Sequence, residues 1–65
     1  MMNNKVWKIR GYEGSFTDEQ IVYLIINKKI TGEDALTCKE MKGYIKIKDS
    51  IYEYYLRKAN NNENI

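Results

Sequence analysis

The chain has 65 residues, 43% of them hydrophobic and 31% charged, and a net charge of +2. That describes one small domain with a thin core, too apolar for a disordered chain and without the basic excess of a dedicated nucleic-acid binder. There is no His, no Pro and a single Cys, which excludes an imidazole base or ligand, a Cys/His zinc site, an intramolecular disulfide and a proline-rich linker.

The polar start Met1-Met2-Asn3-Asn4-Lys5 and the short apolar run Ile21 to Ile26 predict neither a targeting segment nor a membrane span. Val6-Trp7-Lys8-Ile9-Arg10 alternates with period two, a half-buried strand with Trp7 and Ile9 on one face. Gly11-Tyr12-Glu13-Gly14 is a glycine-bracketed turn.

Thr17-Asp18-Glu19-Gln20 has the spacing of a capping box, and Phe16 with Ile21 that of a hydrophobic staple. A helix is expected over about residues 18–28. Ile21, Leu24 and Ile25 would form its inner stripe, with acidic residues in the first turn and Lys28 and Lys29 in the last.

Thr31 to Asp34 is a turn, Ala35 to Lys39 a short strand, and Glu40 to Gly43 a second turn. Tyr44-Ile45-Lys46-Ile47-Lys48 alternates as another strand, with Ile45 and Ile47 inward. Ser50 and Glu53 have capping-box spacing, so a second helix is expected from Ser50 to Lys58 with Ile51, Tyr52, Tyr55 and Leu56 as its packing stripe. The order strand, helix, strand, strand, helix is that of a small α+β domain with a short antiparallel sheet. It should occupy residues 1–58, with residues 59–65 an Asn-rich disordered tail. The expected core is Trp7, Ile21, Leu24, Ile25, Leu36, Ile45, Ile47 and Tyr55.

Trp7 opens the first strand, Gly14-Ser15-Phe16 precedes the first helix, and Ile21 and Leu24 follow on that helix. Lys28-Lys29-Ile30, Thr31-Gly32-Glu33-Asp34-Ala35-Leu36 and Met41-Lys42-Gly43-Tyr44 come next in order. In this order and spacing, Trp7 to Leu56, about three quarters of the chain, resembles the GYF-like adaptor domains of the compact bacterial type. The resemblance implies a non-catalytic protein-interaction module that docks an extended peptide or a partner domain.

GYF domains bind proline-rich peptides on an aromatic surface, because rigid polyproline loses little freedom on binding and packs on flat rings. Here the family's helical Trp is Leu24, its Gly-Tyr-Phe is Lys28-Lys29-Ile30, its Gly-Pro-Phe carries Ser15, and the aromatic before that motif is Glu13. Proline-rich peptides are therefore expected to bind weakly or not at all. The remaining candidates for contact are Trp7, Tyr12, Phe16 and Tyr54, with Lys28 and Lys29 favouring an acidic flank on the ligand. Trp7 and Phe16 have a second role open to them, as core and staple of a minimal domain. Tyr44, Tyr52 and Tyr55 read as half-buried with their hydroxyls in water.

Two other functions stay open. Residues 35–58 hold six basic and three acidic residues, so a face with Lys46 and Lys48 beside Tyr44 would suit weak nucleic-acid binding; solvating an exposed sheet face is the simpler role for such lysines. A structural or self-association role is the other. No catalytic residue, metal ligand or cofactor is expected, since the chain is too short to surround a substrate. Cys38, on the apolar face of a strand, reads as packed and suits a reducing cytoplasm.

Overall fold

The computed structural model describes residues 5–61. Its elements are β1 (Val6–Ile9), β2 (Phe16–Thr17), α1 (Asp18–Ile26), β3 (Ala35–Thr37), β4 (Ile45–Lys46), a 3₁₀ turn (Ile47–Asp49) and α2 (Glu53–Asn61). The four strands form one antiparallel sheet in the order β2-β1-β3-β4, so the fold is α+β. Among the described residues no helix is long and apolar enough to cross a membrane.

Alternation in β1 does what the sequence implies: Trp7 and Ile9 are buried and Val6 and Lys8 are exposed. Trp7 stands opposite Phe16, and Ile9 opposite Leu36, so both neighbouring strands add to the same apolar face. The pair Phe16–Thr17 forms a short edge strand with no signal in the sequence, because two residues are too few to show a period.

α1 begins at a complete capping box. The Gln20 backbone N–H donates to the Thr17 hydroxyl at 3.2 Å and the Thr17 N–H donates to Gln20 Oε1 at 2.8 Å, which satisfies two donors that the first helical turn leaves without partners. The helix ends at Ile26, earlier than expected, because Lys28 adopts a left-handed φ of 59°. Lys29 N–H then donates to the Leu24 carbonyl at 2.8 Å and Lys28 N–H to the Ile25 carbonyl at 3.0 Å. This is a Schellman closure, which cannot extend as a helix. Lys28 and Lys29 thus follow the last turn instead of lying in it, and Ile30 folds back into the core.

The core gathers Trp7, Ile9, Ile21, Ile25, Ile30, Leu36, Cys38, Ile47 and Tyr52. Leu24, Ile45 and Tyr55, expected to be mostly buried, are half-buried at its margin. On α1 the inner line runs through Ile21 and Ile25, one turn apart, and Leu24 lies to its side.

α2 departs most from expectation. β4 stops at Lys46 and the chain makes a 3₁₀ turn. Ser50 then holds that turn: its hydroxyl donates to the Ile47 carbonyl at 2.7 Å and accepts from the Tyr52 N–H at 3.0 Å. So Ser50 is a turn residue and not the helix cap, and Glu53 pairs with Arg57 at 2.8 Å in place of closing a capping box. Ile51 points outward at 74% exposure, whereas Tyr52 is buried at 1%. Tyr52, just before α2, and Tyr55, Leu56 and Ala59 on it form one inner stripe, spaced i, i+3, i+4, i+7. Ala59 is buried and the helix runs to Asn61, so it takes in the first three residues of the expected tail; residues 62–65 lie outside the described residues.

Candidate functional site

An open cleft of about 650 Å³ lies where β1, the first turn of α1 and the turn before α2 converge. Its walls are Lys5, Val6, Trp7, Thr17, Asp18, Glu19, Ile51 and Tyr52. The volume falls in the range of side-chain and small-ligand clefts.

The aromatic part of the wall is a Trp7–Tyr52 pair in edge-to-face contact, with ring centroids 5.8 Å apart and planes at 76°, a favourable arrangement of ring quadrupoles. The Tyr52 hydroxyl donates to Asp18 Oδ1. Burial, and then the hydrogen bond and charge of Asp18, push the phenol well above its ordinary range, against the opposing influence of the Trp7 side chain. Tyr52 therefore stays a neutral donor across all ordinary pH.

Val6 and Ile51 give the cleft its exposed apolar surface, 44% and 74% exposed respectively. Each is outward for a local reason: Val6 by the alternation of β1, Ile51 by the Ser50 turn. Charge comes from Asp18 and Glu19 in the first turn of α1, and from Lys5, whose Nζ lies 5.0 Å from the Trp7 ring centroid.

No family model, curated protein or solved structure matches this chain. The reading of the cleft therefore rests on its own chemistry.

Of the four residues singled out in the sequence, Trp7 alone lines the cleft. It is 6% exposed, so it is a core residue that also forms cleft wall. Phe16 lies opposite Trp7 in the sheet and meets Tyr12 edge-to-face at 6.4 Å. Phe16 is half-buried and Tyr12 is exposed. Tyr54 is exposed, lies against Tyr55 at 5.2 Å, and has the Lys58 ammonium 5.5 Å from its ring centroid. Tyr55 in turn lies 6.4 Å from Tyr52. Tyr54 is thus joined to the cleft only through two further rings, and it is not part of the Tyr12–Phe16 pair.

Two expectations are corrected by this geometry. Tyr44, read as half-buried, is exposed, with the Arg10 guanidinium 5.7 Å from its ring centroid, while Tyr52, read likewise, is a core residue. Lys28 and Lys29 stand at the opposite end of α1 from Phe16. Phe16 precedes α1 and Lys28 follows it, so nine helical residues, about 13 Å at 1.5 Å per residue, separate them. The charges beside Trp7 are instead the carboxylates of Asp18 and Glu19 and the ammonium of Lys5.

The basic face is also altered by long-range pairing. Lys46 Nζ and Lys48 Nζ lie 2.9 Å and 2.8 Å from the two carboxylate oxygens of Glu33. The hydrogen bonds from Lys48 and then Lys46 hold the Glu33 carboxyl down to about 2. The three side chains together carry one net positive charge where the sequence suggested two beside Tyr44.

Val6, Asp18, Glu19, Ile51 and Tyr52 were not read as a site from sequence. Asp18 and Glu19 have the ordinary signature of a helix start and Ile51 that of a packing residue; nothing within a few residues of any of them marks a shared cleft.

Proposed function

We propose that this chain is a non-catalytic interaction module, similar to the GYF-like domains, that docks an extended peptide in the Trp7–Tyr52 cleft. One observation carries the reading: two exposed aliphatic side chains, Val6 and Ile51, flank an aromatic pair in an open cleft. A large apolar side chain set between them leaves water against surface that is already ordered, so little freedom is lost on the protein side.

Proline-rich ligands remain disfavoured in this reading. The positions that supply rings in the family carry Glu13, Leu24 and Lys29. The test is a chemical-shift titration of labelled protein with apolar and proline-rich peptides. Saturable shifts at the Trp7 indole, Tyr52 and Ile51 with the apolar set support the reading. Shifts confined to Tyr12 and Phe16, or to Tyr44, Lys46 and Lys48 with an oligonucleotide, overturn it.

A further inference from the structure

The cleft has a charge pattern that its apolar walls do not require. Glu19 is exposed at its rim, one residue from Asp18, whose carboxylate already accepts from Tyr52. The Lys5 ammonium, also in the cleft wall, lies 5.0 Å from the Trp7 ring centroid and within electrostatic range of Glu40. An indole face attracts a cation through its quadrupole, and tryptophan does so best of the aromatic residues. The wall of the cleft thus already receives an ammonium group supplied by the chain itself.

We infer that the cleft recognises a basic apolar segment: an extended peptide in which a lysine or arginine adjoins a large aliphatic residue. This rests on the reading of the cleft as the peptide site. The ligand's cation takes the place of Lys5 over Trp7 and faces Glu19 and the outer oxygen of Asp18. Its aliphatic neighbour sits between Val6 and Ile51. Two features of the surface fit this partner over an acidic one. The carboxylates are on the helix side of the cleft, and the lysine pair at and just after β4, the sheet edge opposite β2, is engaged by Glu33. Lys5 then acts as an internal competitor that the ligand displaces, which makes an unusual forecast: removing a surface lysine strengthens binding to a basic peptide.

The experiment titrates the labelled 65-residue chain with three blocked heptapeptides, in which leucine alternates with lysine, glutamine or glutamate. The lysine peptide is expected to shift Trp7, Ile51 and Glu19 saturably and to bind about tenfold more tightly than the glutamine peptide. Lys5→Ala is expected to tighten the lysine peptide more than the glutamine peptide. Glu19→Lys is expected to weaken the lysine peptide by about tenfold. Both positions are exposed, and a thermal melt of each variant confirms that it folds.

Equal affinity for the lysine and glutamine peptides, or preference for the glutamate peptide, overturns the basic partner while leaving the cleft as a peptide site. Absence of shifts in the cleft with all three peptides overturns both readings. Shifts of Val6 and Ile51 on simple dilution of the protein overturn the inference in favour of a second copy of the chain as occupant.

Discussion

The hydroxyl of Tyr52 donates to the carboxylate of Asp18 across a separation of 34 residues, tying the turn before α2 to the first turn of α1. The same tyrosine ring meets Trp7 of β1, so one side chain joins both helices and the sheet. A domain of this size has about 3–5 kcal/mol of net stability, and such a junction is a large share of it. Tyr52→Phe keeps the ring and removes one hydrogen bond to an exposed carboxylate; it should cost about 1 kcal/mol in a urea melt. Tyr52→Ala removes the whole ring, at about 3–5 kcal/mol, and should leave the chain largely unfolded by circular dichroism.

The side chain of Ile21 is fully buried and that of Leu24 half-buried, although both lie on α1. Ile21→Ala should therefore cost about 2–5 kcal/mol and Leu24→Ala clearly less, since part of the Leu24 surface is in water in both states. Paired denaturant melts give the order directly. An equal or larger loss for Leu24→Ala would place the inner line of the helix elsewhere.

Lys28 holds a left-handed backbone that L-residues adopt at a cost of about 1–2 kcal/mol, and glycine does not bear that cost. Glycine also has more freedom to lose on folding. The balance for Lys28→Gly is an increase in stability of about 0.5–1 kcal/mol, read as a rise in melting temperature. A fall would show that the Schellman closure is not what ends α1.

The carboxyl of Glu33 is held below its ordinary value of 4.5, at about 2, by Lys48 and Lys46. Its contribution to stability is fully present above pH 4.5 and is lost as the pH falls through about 2, because the folded state resists protonation more than the unfolded state does. The effect is small, since water screens a carboxylate whose side chain is 65% exposed. Melts of wild type and Glu33→Gln should differ at neutral pH and converge in strong acid, with less difference in high salt. A carbon-detected titration of the Glu33 carboxyl should place its midpoint well below those of free glutamates.

The α+β class and the start of α1 were legible in the residues, because a capping box and a period-two strand are set by neighbours within four residues. Trp7, Ile21, Ile25, Leu36 and Ile47 are buried as their periods imply. Tertiary structure decided what local pattern leaves free. In Ser50-Ile51-Tyr52-Glu53 two adjacent apolar residues compete for the core. The Ser50 turn and the reach of Tyr52 to Asp18 settle that competition, sending Ile51 outward into the cleft. Ala59 reads as tail until α2 brings it round on the same stripe as Tyr52 and Leu56. Glu33 meets Lys46 and Lys48 from 13 and 15 residues away, and Val6 and Ile51, far apart in the chain, line the same cleft. Such pairings depend on how strands and helices are laid side by side, so the elements were written in the sequence locally, and the cleft came into being only when those elements packed.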